Sequence, residues 1–333
     1  MEINILAIES SCDDTSAAII QNGSVLSNAL ATQAIHKVYG GVVPEVASRA
    51  HQANIIPVVD LALKQAGVHP DELSAIAFTR GPGLIGSLMV GVSFAKAFAL
   101  SKGIPLIEVN HMKAHVLAHF AEAPKPPFPF LCLTVSGGHT QILVVHAPSE
   151  MEIIGTTIDD AAGEAFDKTG KLLGLDYPAG PLIDRHAQNG QAIFPFPEPK
   201  IKGLDFSFSG LKTSILYFLK KKIKENPDFI KQNLADICAS VQNRIVSILM
   251  NKIILAAEQT GITEIALAGG VSANSALRKA LQEAGKERAW NTYVPRLEYC
   301  TDNAAMIGVA AYFKFLNQDF TNQKAAADPR LKV

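Results

Sequence analysis

Apolar positions along the chain follow two rhythms. Short unbroken apolar runs, such as Ile5-Leu6-Ala7-Ile8 and Ala17-Ala18-Ile19-Ile20, flank a small polar stretch and predict strand, turn, strand. Residues 131–145 repeat this grammar around Ser136-Gly137-Gly138-His139-Thr140. A third small-residue site follows the run Glu264-Ile265-Ala266-Leu267: Gly269 and Gly270 come next, then a helix expected to start near Asn274. Helical periodicity dominates elsewhere. It predicts a helix over 47–65 with a kink at Pro57, one opening after Gly81-Pro82-Gly83-Leu84-Ile85-Gly86 and running to Lys102, and a last one over 303–316. Buried strands are expected at 75–79 and 104–109, and Pro124-Lys125-Pro126-Pro127-Phe128-Pro129 reads as a linker. The pattern predicts two domains, each opening on a turn-bearing hairpin. One is residues 1–125, completed by a C-terminal helix within 303–333; the other is 126–302, with a basic insertion near 195–230.

Composition supports this reading. A chain of 333 residues, 48% hydrophobic and 18% charged, can fill two cores and is too apolar to be disordered. The formal net charge of −1 excludes a basic field over the whole surface. Local charge is uneven. Residues 200–224 carry seven lysines against one acid, Asp205, with Phe206, Phe208, Tyr217 and Phe218 between them. That stretch is either a solvated helix face or an RNA contact. Asp159, Asp160, Glu164 and Asp167 form an acidic cluster without a basic residue. Cys12, Cys132, Cys238 and Cys300 show no pairing pattern, which suits a reducing cytosol. The first residues lack the basic flank of a secretory signal. The longest apolar stretch, 84–94, is too short for a bilayer and contains glycines. The expectation is a cytoplasmic protein with no membrane contact.

Two segments carry chemistry. In Asn110-His111-Met112-Lys113-Ala114-His115 the histidines stand four apart, so on a helix they share a face and can grip one ion. In Ser136-Gly137-Gly138-His139-Thr140 the small residues let backbone N–H groups approach an anion. Each has a plain alternative: a solvated histidine face, which His119 would continue, and an ordinary tight hairpin. Their joint occurrence points to a metal-assisted enzyme that handles a nucleotide.

Eight motifs then occur in order. They are Glu9-Ser10-Ser11-Cys12-Asp13-Asp14-Thr15, Gly40-Gly41-Val42-Val43-Pro44-Glu45-Val46-Ala47-Ser48-Arg49, Gly81-Pro82-Gly83-Leu84, and Val135-Ser136-Gly137-Gly138-His139-Thr140-Gln141. Further on stand Asp159-Asp160-Ala161-Ala162-Gly163-Glu164-Ala165-Phe166-Asp167-Lys168, Asp205-Phe206-Ser207-Phe208-Ser209-Gly210-Leu211-Lys212-Thr213, Gly269-Gly270-Val271-Ser272-Ala273-Asn274 and Cys300-Thr301-Asp302-Asn303. Through them nearly the whole chain resembles the bacterial tRNA N(6)-adenosine threonylcarbamoyltransferase family, in the actin, heat-shock chaperone and sugar-kinase superfamily.

The resemblance implies an α/β, two-lobed actin/heat-shock chaperone/sugar-kinase-like fold with a duplicated mixed-sheet core and an interlobe cleft. It implies transfer of the threonylcarbamoyl group of threonylcarbamoyl-adenylate to the exocyclic nitrogen of the adenosine 3′ of the anticodon, in tRNAs reading codons that begin with A. AMP leaves. It implies one divalent metal ion per subunit, iron ahead of zinc, on His111, His115 and Asp302. Thr134, Val135, Ser136, Gly137 and Gly138 would cradle phosphate and acyl group. Asp167 and Asp184 would take ribose hydroxyls, with Gly180 allowing close approach, and Gly269, Gly270 and Asn274 would hold adenine. Glu9 and Asp13 would orient the incoming amine. The implied partners are tRNA, an inactive paralogous subunit docked through the region 41–51, and a small ATPase.

Lys113 departs from the family, which usually has Glu between the paired histidines, and Ala325-Ala326-Ala327-Asp328-Pro329-Arg330 departs from its basic, Pro-rich end. Three rivals stand beside this reading. A kinase or ATPase of the same superfamily fits the hairpins but has no need of the histidine pair. A metalloprotease wants Glu directly after the first histidine, where Met112 stands. A non-catalytic scaffold subunit would be expected to lose the pair. Asp302 also reads as an N-cap for the helix from Asn303, and His139 is expected to be packed.

Overall fold

The computed structural model describes residues 2–333, apart from the side chain of Lys37. The chain divides into two units: Met1–Lys125 with Ala147–Met151 and Pro295–Val333, and Pro126–His146 with Glu152–Val294.

Unit 1 is built on a five-stranded sheet. Strands β1 (Asn4–Glu9), β2 (Asp14–Gln21) and β3 (Ser24–Thr32) form an antiparallel meander. Strands β4 (Ala75–Gly81) and β5 (Leu106–Asn110) extend it in parallel from β1, giving the order β3-β2-β1-β4-β5. β1 is central and buried at every position, which is why its residues form an apolar run and not an alternation. The helices are α1 (His36–Tyr39), α2 (Pro44–Ala66), α3 (Ile85–Lys102) and α4 (His111–Leu117). α2 is continuous through Pro57. Pro57 and Ala53 both lie on its exposed face, where water can satisfy the carbonyl that proline leaves without a donor. α3 is apolar and long enough, by length and composition alone, to cross a membrane. Here Val92, Ala95 and Ala99 share a core with Ile76, Phe78 and α2 residues Ile55 and Val59.

Unit 2 repeats the plan. Strands β6 (Phe130–Val135), β7 (Thr140–Val145), β8 (Met151–Thr156), β9 (Glu264–Ala268) and β10 (Asn291–Tyr293) lie in the order β10-β9-β6-β7-β8. β6 pairs antiparallel with β7 and parallel with β9, as β1 does with β2 and β4. The α/β class and the duplicated mixed-sheet core expected from the sequence are therefore present. Helices α5 (Ala162–Leu173), α6 (Gly180–Ala187), α7 (Ser209–Glu225), α8 (Phe229–Thr260) and α9 (Ser275–Arg288) complete unit 2, and α10 (Ala304–Leu316) belongs to unit 1.

Two charge patterns change character in three dimensions. The acidic cluster is not unrelieved. Lys168, one turn beyond Glu164 on α5, bonds Asp160 at 2.6 Å and Glu164 at 2.8 Å. Asp159 instead anchors the start of α7, accepting from the N–H groups of Phe208 and Ser209 at 2.8 and 3.3 Å. Among the lysines, Phe206 and Phe208 are fully buried, and Tyr217 is the exposed aromatic.

α10 approaches the sheet of unit 1 closely because Gly308 has no side chain. A Cβ there would lie 2.3 Å from Ile20 Cγ1 and 3.1 Å from Ala7 Cβ. Gly308→Val is expected to cost about 1–3 kcal/mol in urea unfolding. Gly210→Ala, at a site with nothing within 4 Å, should stay within about 0.5 kcal/mol. Equal effects would contradict the close packing.

Candidate metal centre and anion cradle

β5 ends at Asn110 and α4 begins at the next residue. Asn110 makes this abrupt start possible: its Oδ1 accepts the N–H groups of Met112 and Lys113 at 2.9 and 3.1 Å. One turn of helix then sets His111 and His115 on a common face, with ring centroids 4.7 Å apart. Asp302 meets them from the segment before α10. Its Oδ1 lies 3.4 Å from Nε2 of His111 and 3.2 Å from Nε2 of His115. Asp302 does not cap α10. Asn303 does, accepting the Met306 N–H at 3.0 Å, while Ser16 Oγ and Asn28 Oδ1 take the N–H groups of Ala304 and Ala305. With those donors satisfied, the Asp302 carboxylate turns to the histidines.

Glu9 is not where an incoming amine could be oriented. It is fully buried, with Oε2 facing Nδ1 of His111 at 3.0 Å and accepting the Thr79 hydroxyl at 2.6 Å. Its Oε1 accepts the Ser11 N–H. A carboxylate behind Nδ1 holds a proton there and turns Nε2 forward, toward Asp302. Sequence reasoning missed this contact because Glu9 and His111 are 102 residues apart. The available signal was a charged residue directly following the apolar run Ile5-Leu6-Ala7-Ile8 in one buried strand. Asp13 and Asp14 are half-buried at the same turn. Buried His51 braces that turn, with Nε2 3.0 Å from the Cys12 carbonyl oxygen and Nδ1 2.8 Å from the Thr15 hydroxyl.

The charges here are interdependent. Burial alone would raise the Glu9 and Asp302 carboxyls, but the His111 imidazole beside them holds both below their usual range. His111 is in turn held well above its usual value: burial opposes protonation, and Asp302 and Glu9 overcome it. Burial pushes His115 down. Burial, then Asp13, Asp302 and Glu9, push the Asp14 carboxyl up to about 7.

This trio fits a divalent transition ion. An ion bonded at about 2.1 Å to a nitrogen and an oxygen holds them about 3.0–3.4 Å apart, and both nitrogen–oxygen separations have that length. Nδ1 of His115 is buried and has no hydrogen-bond partner among the described residues, so only its Nε2 side carries a bond. Two imidazoles and one carboxylate leave coordination positions open. Lys113 does not join the set; it is half-buried and lines a cavity with Leu117 and Lys314.

The candidate anion cradle lies in unit 2. Thr134 and Val135 are buried in β6, their backbones engaged with Gln141 and Thr140 of β7. The turn beyond closes on itself, Ser136 N–H to the His139 carbonyl at 2.8 Å and His139 N–H to Ser136 Oγ at 3.1 Å. His139 is half-buried. Gly137 and Gly138 are exposed, and nothing lies within 4 Å of where their Cβ atoms would be. The exposed backbone of this turn is that of Gly137 and Gly138, while the Ser136 N–H and carbonyl are both engaged. Gly269 packs on the base of this hairpin with φ +83°, its absent Cβ only 2.5 Å from the Val135 carbonyl oxygen. Asp167 accepts the Ala179 N–H at 2.8 Å, and burial raises its carboxyl. Gly180 meets nothing closer than 3.9 Å at its Cβ position. Asp184 binds the Ser275 hydroxyl at 2.6 Å and N–H at 3.1 Å. Asn274 caps α9 through the Leu277 N–H at 3.0 Å and donates to Gln242 at 2.7 Å. Each residue thus has a structural bond of its own within this unit.

Two outcomes follow from the trio and its turn. Glu9→Gln should lower affinity for added Zn²⁺ about 10- to 100-fold with the fold intact, because the ring of His111 loses its orienting charge. The His111→Ala, His115→Ala double variant should bind none; full metal content in it, by mass spectrometry of the purified protein, would falsify the site. Asp14 gives a pH signature. Its folded value of about 7 lies above the ordinary 3.8, so its neutral form stabilises the fold fully at low pH, and that contribution is lost as pH rises through about 7. Asp14→Asn should match the metal-free parent in melting temperature near pH 4 and exceed it by a few degrees near pH 8. A difference that does not grow with pH would contradict this.

Known proteins supply the context for this geometry. The family model described as tRNA N6-adenosine threonylcarbamoyltransferase matches residues 24–309. A protein of that name from Riemerella anatipestifer is 60% identical over 333 residues, covering 99% of this chain and 98% of the relative. Another, from Christiangramia forsetii, is 58% identical over 335 residues, with 99% and 98% covered. Among solved structures, the chain is similar to T. kodakarensis HypF, with TM-score 0.62, 14% identity, and 96% of this chain and 48% of that one covered. Component A of (R)-2-hydroxyglutaryl-CoA dehydratase from Acidaminococcus fermentans gives TM-score 0.54 at 16% identity, covering 94% and 98%. Identities that low speak for the fold alone. Sharing more than half its residues with full-length relatives of one name, the chain belongs to the tRNA N6-adenosine threonylcarbamoyltransferase family.

Proposed function

We propose that this chain is a metal-dependent acyltransferase. It moves the threonylcarbamoyl group of threonylcarbamoyl-adenylate to N6 of the adenosine 3′ of the anticodon, in tRNAs reading codons that begin with A, and releases AMP. The observation that carries the reading is the convergence of His111 and His115 on Asp302, with Glu9 behind one of the histidines. A kinase or ATPase of this fold has no use for that arrangement, and a scaffold subunit has no reason to keep it.

The donor is a mixed anhydride and is already activated, so the protein's work is positioning and charge stabilisation. His111, His115 and Asp302 hold the ion, iron ahead of zinc. When bound, it supplies Lewis-acid polarisation of the acyl carbonyl. The N–H groups of Gly137 and Gly138 receive the phosphate beside the Ser136 side chain, with Thr134 and Val135 as the rigid base of the hairpin. Asp167 and Asp184 accept ribose hydroxyls beside Gly180, and Asn274 holds the adenine edge while capping α9. An adenine amine is barely basic and must lose its proton as it attacks; Asp13 orients it.

The work is shared and cytoplasmic. The acceptor tRNA is drawn to Lys220, Lys221 and Lys222 of α7, because the net charge of −1 gives no general attraction. An inactive paralogous subunit docks on the region 41–51, and a small ATPase completes the complex.

The test is nucleoside mass spectrometry of tRNA incubated with this protein, its partners, ATP and preformed threonylcarbamoyl-adenylate. Threonylcarbamoyladenosine should accumulate over multiple turnovers only with the partners present. Gly137→Val should lower affinity for a non-hydrolysable adenylate analogue at least tenfold. Charge reversal at the three lysines should weaken tRNA binding and leave that affinity alone. Phosphorylated small-molecule products with unmodified tRNA would favour the kinase reading instead.

A further inference from the structure

The helix that carries the metal ligands has a second lined face. On the side of α4 away from the Asp302 contact lies a cavity of about 500 Å³, wholly within unit 1. Lys113 and Leu117 form its α4 wall, Phe313 and Lys314 its α10 wall, and Arg80 and Glu108 its sheet wall. That volume falls within the range of small-molecule sites.

The charges around it do not balance. Four cations, Arg80, Lys113, Lys314 and Lys332, line it against two carboxylates, Glu108 and Asp319. Both carboxylates are already engaged. Glu108 pairs with Arg80 at 2.7 Å and accepts the Thr321 hydroxyl at 3.1 Å, and Asp319 pairs with Lys314 at 3.0 Å. Lys113 is half-buried yet forms no ion pair among the described residues, and it lies close enough to Lys314 to feel its charge. Two ammonium groups at one half-exposed cavity, one of them with no counter-charge, make it attractive to an anion. Beside the charged groups the lining mixes polar Asn110, Ser149 and Asn317 with apolar residues, among them Leu117 next to Lys113 on α4 and Phe313 next to Lys314 on α10. The occupant that suits it has an oxyanion head for the lysines and an apolar body for Leu117 and Phe313.

We propose that this cavity is a binding site for a small organic anion, a phosphate or carboxylate on an apolar body, held by Lys113 and Lys314 against Phe313. It is separate from the hairpin of unit 2 and makes no use of the metal ligands.

The probes are phenyl phosphate, benzoate and inorganic phosphate, titrated by ligand-observed NMR into the Gly137→Val protein, whose hairpin no longer admits an anion. Saturable binding of phenyl phosphate or benzoate is expected, tighter than that of inorganic phosphate. Which of the two aromatic probes binds better identifies the head group. Lys113→Glu, at a half-buried position without an ion pair among the described residues, is expected to fold. It should weaken binding by about tenfold or more, as should Lys314→Gln, because each removes a charge-assisted contact. Absence of saturable binding by all three probes to the folded protein would overturn the proposal. So would affinities unchanged in both lysine variants, or inorganic phosphate binding as tightly as phenyl phosphate.

Discussion

A carboxylate that water cannot reach must be answered by the groups around it. Glu9 is such a carboxylate, and its partners come from well-separated parts of the chain. The Thr79 hydroxyl arrives on β4, the Ser11 N–H from the turn after β1, and the His111 ring at the start of α4. These contacts fix how α4 leaves the sheet, and with it the facing of both histidines. The ligand set is thus a consequence of satisfying one buried charge. Its electrostatics are shared as well, since His111 is held protonated by the same two carboxylates that it holds ionised.

The duplicated sheet shows how one plan serves two purposes. β1–β2 and β6–β7 have the same antiparallel pairing and the same place beside a parallel neighbour. Their turns differ in what fills them. The first holds Ser11, Cys12, Asp13 and Asp14, tied inward to Glu9, His51 and Ser87. The second holds Gly137 and Gly138, with exposed backbone and empty space where side chains would be. The filled turn ties its neighbours together; the open one leaves its backbone exposed.

Much of this was legible from local pattern. The hairpins, the strand before Gly269 and the i,i+4 histidines announce themselves because their periodicity is short-range and their burial uniform. What stayed hidden was long-range or satisfied by unexpected partners. Asp302 could equally have capped α10, and only the presence of Asn303, Ser16 and Asn28 at that helix end shows why it need not. Glu9 was attributed to the incoming amine because nothing in its neighbours signals a histidine a hundred positions away. Lys168 lay one residue past the acidic cluster, and only the turn of α5 returns it to Asp160 and Glu164. Asp184 and Asn274 read as ligand contacts, while the packing bonds they also make were invisible without α9 in place.

The capping of α10 also bears on the order of events during synthesis. Asp302 stands 187 residues beyond His115, and its position depends on Ser16 and Asn28 gripping the first turn of a helix close to the end of the chain. A nascent chain can fold the sheet of unit 1 up to α4 and display both histidines long before the third ligand exists. Until α10 docks, the pair offers an ion two points at most. Docking of α10 brings Asp302 to them, so a three-point site would form only with the folding of that helix.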